Sequence, residues 1–523
     1  MMEMKWQQAA TRSIRWTRRD RVEYFLSLAW LLGSMFFGIF LGSMTGLIPG
    51  FHVNNVALIL LSLSPAFLAL GIPLFAVASI IVACGTVHTF LNYIPSGLIG
   101  APDADQALSL LPGHRMLLAG EATKGVAYSA RGSQMGLLMT LPLILVIRLI
   151  FGPELNLYDE MRGQLPWILL GISLILLITE TTRLPWPTWV QKLTNGYLGD
   201  DSRITGFTVA TSYFLLAGFY GWAVFSLPAF SPVGMPNASL LLPSLAGLFG
   251  ICNLIDIYST TSELPPQKDD WEMPPPKPLA VPVFLSCIAG TCMAVLPGMT
   301  AAQATVMVMG GRNVAAWVKG EEGWGMDFEN LSMPEISEEE LMLRATSLAD
   351  HPDLAIDDVN KDRDLEIIAI LSAVNTAVTV SVLGFLYIIG RSRSGATLAL
   401  KMMYPIDRWY ELEPTADFIR LLAVMIASGL IAVPIMFVVG RGVLKLHEII
   451  PLRTMIMSVI IFITILVWFS TGWVGIGVLI VGTVMGLMPP RIGIRRSHGM
   501  GIIIVPIMIY TFMQKYGDPF GFI

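Results

Sequence analysis

The stretch GSMTGLIPGFHVNN (residues 42–55) recurs in the second half of the chain as GTCMAVLPGMTAAQ (residues 290–303), with Pro49-Gly50 and Pro297-Gly298 in register. Proline removes a backbone donor and clashes with the turn before it, and glycine releases the chain from helical geometry, so each pair breaks a helix. Both pairs lie in strongly apolar sequence. Broken helices survive in lipid only where the freed backbone groups face protein or a wet cavity. Interruptions at matching positions of two halves point to the binding site of a transporter.

Composition supports a membrane setting. Apolar residues make up 54% of 523 and charged residues 14%, and the mean hydropathy is +0.66. A water-soluble domain of this composition would expose far too much apolar surface, so the chain reads as a polytopic membrane protein. The formal charge of -5 says little about partners, and nothing resembles a nucleic-acid-binding stripe. The basic amino-terminal segment (Lys5, Arg12, Arg15, Arg18, Arg19, Arg21) precedes an apolar run from about Phe25 to Ile48. That run is longer than the roughly 7–15-residue core of a cleavable signal. It is expected to stay as the first span of a plasma-membrane protein, with a cytoplasmic N-terminus by the positive-inside rule.

Further apolar stretches centre near residues 62, 80, 142, 172, 215, 247, 288, 308, 378, 428, 461, 480 and 506. The fold expected is all-α, with about 10 to 14 transmembrane or half-spanning helices. A second match extends the duplication: residues 85–108 align without a gap on residues 375–398, pairing Thr86 with Thr376, Thr89 with Thr379 and Gly100 with Gly390. The first motif repeats after 248 residues and this one after 290, so the second half carries about 42 extra residues between them. The acidic stretch at about 319–364 accounts for them as a solvated insertion, with a short helix expected near Ser337. A third match, 241–251 against 479–489, is weak. The domains read as residues 1–261, a Pro-rich extended linker at 262–278, and residues 279–523. The two repeats are read as inverted, although hydropathy alone does not fix the number of crossings between them.

Candidate chemistry follows from the repeats. After each break comes a residue able to cap a new helix, Asn54 or Asn55 in the first half and Thr300 in the second. Helix starts offer unpaired amides and partial positive charge, so two of them facing one cavity would hold a small carboxylate. Pro49, Gly50, Asn54, Asn55, Pro297, Gly298, Thr300 and Gln303 are therefore expected around an anion. Thr86, Asn375, Thr376 and Thr379 are expected as supporting polar groups or ligands of a coupling Na⁺. The second motif places Asp103 and Asp105 in one half opposite Arg391 and Arg393 in the other; arginine forks onto carboxylates, and aspartate suits a cation or an arginine partner. His88, Asn92 and Asp256 are further polar groups embedded in apolar sequence. Arg491, Arg495 and Arg496, in GLMPPRIGIRRSHGMG (residues 486–501), read as a cytoplasmic anchor. The four cysteines read as buried packing residues. No P-loop, HExxH or dinucleotide glycine pattern is present, so no cofactor and no metal-ligand set is assigned, and an enzyme is not expected.

With these residues in hand, the chain resembles the TctA family, the large membrane subunit of tripartite tricarboxylate transporters, in its archaeal-type branch. The resemblance rests on the duplicated Pro-Gly motif, GAPDADQALSLLPGHRMLLAG (100–120), RSRSGA (391–396) and GIRRSHGMG (493–501). It implies a permease importing citrate-like di- or tricarboxylates, driven by Na⁺ or H⁺. It also implies a small membrane subunit and an extracytoplasmic binding protein as partners. Ala101-Pro102-Asp103 and the acidic insertion depart from the family pattern. The reading is a secondary transporter working by alternating access. The alternatives are an intramembrane hydrolase using Asp103, His114 or His88, and a non-transporting receptor or scaffold.

Overall fold

The computed structural model describes residues 18–48, 53–99, 110–178, 180, 184–185, 201–232, 240–260, 266–296, 304–305, 308, 358–411, 413–494 and 496–517. The chain is mostly helical in these residues; besides extended connections such as 266–275, it holds one short antiparallel pair, β1 (Leu184–Pro185) with β2 (Asp201–Ser202). The first half holds α1 (Arg18–Leu47), α2 (Val53–Ala69), α3 (Leu74–Leu91), α4 (Leu110–Leu118), α5 (Ala122–Phe151), α6 (Leu157–Ile178) and α7 (Arg203–Ser226). Helix α8 (Leu241–Leu245) then runs through a π-helical turn (Ala246–Ile251) into α9 (Cys252–Thr260). The second half holds α10 (Pro276–Ala294), α11 (Asp358–Ile388), α12 (Gly395–Met403), α13 (Ala416–Ile449), α14 (Leu452–Ile492) and α15 (Gly501–Tyr516). Ten helices among the described residues are long and apolar enough to cross a bilayer, five on each side of the linker. Large apolar side chains such as Phe36, Phe40, Phe219 and Trp473 lie exposed on their flanks, as lipid contact requires.

Helices in lipid gain nothing from hiding apolar surface, so close backbone approach at small residues holds them together. A methyl group on Gly42 of α1 would lie 2.6 Å from Cys84 O and 2.9 Å from Val87 Cβ of α3. One on Gly290 of α10 would lie 2.9 Å from Val374 O and 3.2 Å from Ala377 Cβ of α11. These two sets are related by the same spacings, 248 and 290 residues, that the two sequence motifs show. The duplication is thus present in the packing as well as in the letters.

Direction can be read from successive contacts. Gly38, Gly42 and Gly46 meet Ile80, Cys84 and Leu91 in order, so α1 and α3 are parallel. Gly132 and Gly136 meet Ala369 and Ala373, so α5 and α11 are parallel. Gly429 meets Leu137 whereas Gly440 meets Val126, so α13 runs against α5. Arg420 stacks over Phe75 while Gly429 reaches Thr86, so α13 runs with α3. It follows that α3 and α11, the corresponding helices of the two halves, are antiparallel, and the repeats are inverted about a centre near Leu137 and Gly429.

Two regions differ from expectation. Helix α14 has 41 residues, roughly 60 Å at 1.5 Å per residue and about twice a bilayer core. Gly472, at φ 64 and ψ -153, divides it into the two spans expected near residues 461 and 480. The linker is extended, as expected, but it is not a loose tether, and α10 begins within it at Pro276. Gln267 donates to Leu117 O and accepts from Ala122 N, joining the end of α4 to the start of α5. Lys268 N donates to Gly120 O, Lys268 Nζ to Glu121, and Arg131 Nε to Pro274 O. Trp271 lies edge-on to Phe437 and beneath Arg441 at the end of α13. At the corresponding end of α5, Arg148 covers Trp409 of the α12–α13 connection and donates to Tyr410 O. The linker fills, for the first half, the place that this connection fills for the second.

Candidate functional site

The start of α2, immediately after the first break, lies against the middle of α3: Val53 Cγ2 is 3.7 Å from where a Cβ on Gly85 would be. Asn54 or Asn55 was expected to cap this helix, but α2 already includes both, as its second and third residues. The Asn54 carboxamide turns outward and accepts from Ala396 N at 2.9 Å, at the start of α12 in the other half. Gly395 permits this approach, since a Cβ there would lie 2.9 Å from Asn54 Cβ.

Helix α12 starts against α2 because the chain doubles back after α11. Gly390, at φ 66, makes the reversal; Arg408 donates to Ile389 O and Lys401 Nζ to Gly390 O, tying the returning segment down. Ser394 caps the helix in a reciprocal capping box with Thr397. This start was missed in the sequence, because Thr397 stands where a capping box usually shows Glu or Gln. Two helix starts from opposite halves therefore stand side by side, joined by Asn54. The expected pairing of the first break with the second involves residues 297–303, which lie outside the described residues.

Arg393 sits on the approach to this pair. It is half-buried, its guanidinium lies 5.1 Å over the Tyr158 ring, and its backbone N donates to Thr397 Oγ1. Arg391 is exposed. The threonines meet where α3 crosses α11: Thr376 Oγ1 donates to Thr89 Oγ1 at 3.3 Å, and both are buried. Thr86, Thr89 and Thr379 direct their hydroxyl hydrogens to carbonyls of their own helices, Val82 O, Thr86 O and Asn375 O. They therefore present oxygen lone pairs and are poor donors to a carboxylate. The Asn375 amide is buried, and its Nδ2 has no partner among the described residues.

One polar chain was not foreseen. His88 Nδ1 lies 3.1 Å from Thr45 Oγ1, which donates to Gly42 O and touches Cys84 Sγ. A second unforeseen contact crosses the halves at the far end of α11, where Arg115 of α4 engages both carboxylate oxygens of the buried Asp364. Outside the spans, the Arg148 guanidinium holds the Glu154 carboxyl below its ordinary range, and Glu121 raises the Lys268 ammonium.

Pro49, Gly50, Asp103, Asp105, Pro297, Gly298, Thr300 and Gln303 lie outside the described residues, as do the side chains of Asn55 and His114 and the segment around Ser337. The reading of residues 486–501 as a simple anchor is corrected in part. Arg496 pairs with Asp256 of α9, and His498 is fully buried 2.6 Å from Glu180, so the motif cross-links the halves. Cys292 is exposed, unlike the other three cysteines. Among the described residues, no group of three or more His, Cys, Asp or Glu side chains is arranged to hold a metal ion.

A model of the Tripartite tricarboxylate transporter TctA family matches residues 32–328 and 342–501. The uncharacterized protein MJ1079 of Methanocaldococcus jannaschii is 31% identical over 144 residues, covering 27% of this chain and 35% of that protein. The chain thus spans about a third of the length of that relative. No solved structure matches.

Proposed function

We propose, since this chain belongs to the tripartite tricarboxylate transporter TctA family, that it is a secondary permease for small di- or tricarboxylates, holding its substrate where α2 and α12 begin. The observation that carries this reading is the Asn54–Ala396 hydrogen bond, which sets two helix starts from opposite halves side by side. Each start contributes the partial positive charge of its helix end, favouring an anion by up to about 2 kcal/mol when partly buried, although at α12 the Ala396 and Thr397 amides are already bonded to Asn54 and Ser394. Arg393 supplies a full positive charge with a fork that matches a carboxylate. An anion can thus be bound without burying an isolated cation in the bilayer core.

Inversion gives alternating access a physical basis, because the same packing read in the opposite direction yields a second conformation of similar energy, open to the other side. Ion-gradient coupling, a cytoplasmic N-terminus, and work with a small membrane subunit and a binding protein belong to this proposal. So does the division into residues 1–261, a linker and residues 279–523. Pro49, Gly50, Asn55, Pro297, Gly298, Thr300 and Gln303 remain proposed neighbours of the substrate, and Asp103 of Arg391 or Arg393.

Counterflow in proteoliposomes tests the proposal. Vesicles loaded with unlabelled citrate should transiently concentrate external labelled citrate or a shorter dicarboxylate, and Gly298→Leu should abolish this while the protein still inserts. An enzyme or a receptor would give no counterflow, and its absence across a panel of carboxylates would reject the permease reading.

A further inference from the structure

The two halves pack alike around the breaks but differ at one place. In the first half Thr45, Cys84 and His88 form a buried polar chain. Residues 248 and 290 positions further on are Met293, Val374 and Val378, and these pack together in an apolar cluster with Ala304 and Val308. The fold is therefore satisfied by apolar side chains at this position. A buried histidine beside a broken helix is costly in the bilayer core and has no packing reason to be there.

The hydrogen bonds tie the ring into the chain. Thr45 Oγ1 lies within hydrogen-bond reach of Gly42 O, Cys84 Sγ and His88 Nδ1. The neutral ring carries one protonated and one basic nitrogen. His88 lies one helical turn from Gly85, against which α2 starts, so a charge on this ring would be felt at the anion site.

Among the described residues, the charged groups of the surrounding helices lie toward the helix ends or are engaged. On α1 they lie at residues 18–23, and on α11 between Asp358 and Glu366. On α13, Asp417 and Arg420 pair near its start, and Arg441 and Lys445 lie near its end. On α5, Arg131 is bonded to Pro274 O and Gln134, Lys124 to Glu121, and Arg148 to Glu154. Helix α2 carries no charged residue, and Lys401 of α12 is held by Gly390 O, leaving Arg391 and Arg393 on the site side. Among the described residues Cys84 is a titratable neighbour, reached through Thr45.

We infer that His88 is the proton-coupling residue of this permease. A proton from the side to which the site is open joins the basic ring nitrogen, giving an imidazolium. The added positive charge tightens carboxylate binding, and substrate and proton leave together on the other side, restoring the neutral ring. This inference rests on the permease reading above.

The test uses the full chain in Na⁺-free proteoliposomes, with citrate as probe, comparing accumulation driven by an inward pH gradient of two units with counterflow at equal pH. Wild type should accumulate citrate at least tenfold over vesicles without the gradient. His88→Gln should keep counterflow, with a rate that no longer changes between pH 5 and 8, and lose the gradient-driven accumulation. Should His88→Gln misfold, the triple variant Thr45→Met, Cys84→Val, His88→Val carries the second half's own packing and should give the same result. Gradient-driven accumulation by either folded variant equal to wild type, or wild-type accumulation that needs Na⁺ and ignores pH, would overturn the inference. Absence of counterflow from wild type would instead reject the permease reading itself.

Discussion

Replacing Asn54 with aspartate separates stability from anion binding at the α2–α12 junction. The new carboxylate keeps the oxygen that accepts from Ala396 N at 2.9 Å, and a carboxylate at a helix start gains a further 0.3–1 kcal/mol or so from the dipole. The folded Asn54→Asp protein should therefore be as stable as wild type or slightly more so. An anion on neighbouring amides of the same turn would sit roughly 6 Å from the new charge. At an effective dielectric constant of about 20, that repulsion is about 2.8 kcal/mol for each substrate charge. A single carboxylate should bind on the order of a hundredfold more weakly. Asn54→Ala makes the opposite separation, losing about 1 kcal/mol of cap-like stabilisation with no added repulsion. Thermal unfolding in detergent against citrate concentration reads both quantities at once, because a bound ligand raises the midpoint by mass action. If the Asn54→Asp protein were stabilised by citrate at wild-type concentrations, the anion would not lie at this junction and the site as argued would fall.

Other outcomes follow from the packing and the charges. Gly42→Ala and Gly290→Ala should each cost about 1–3 kcal/mol by overpacking, with Gly42→Ala the more severe because its backbone contact is closer, 2.6 against 2.9 Å; paired melting curves check the order. Trp271→Ala removes an aromatic pair and a cation–π contact, roughly 1–2 kcal/mol together. It should also make the linker more sensitive to limited proteolysis than Trp409→Ala does. The Glu154 carboxyl is held below its unfolded value by Arg148, so its contribution is complete above about pH 4.3 and is lost as pH falls through the lowered value. Glu154→Gln should flatten that part of the acid-stability profile, measured as melting midpoint against pH.

The sequence by itself determined that this is a multi-pass helical membrane protein with a duplicated body. Long apolar runs have few other solutions, and two motifs repeated at fixed spacings require two related units. It also marked Asn54, Arg393 and the threonines, because polar groups stand out in apolar sequence. It did not reveal that Asn54 reaches the other half. A capping residue is normally satisfied by the helix that follows it, and nothing local indicates that Ala396, 342 residues away, donates to it. The docked linker was hidden for a similar reason: prolines predict an extended chain but not the carbonyls it lies against. Only the tertiary structure decided that the halves are antiparallel, since direction depends on which residues meet in succession, and hydropathy carries no sign. Only the packing, too, distinguished Thr45, Cys84 and His88 from Met293, Val374 and Val378 as two fillings of one equivalent place, because side chains from two helices must be seen together before a polar chain can be told from an apolar plug.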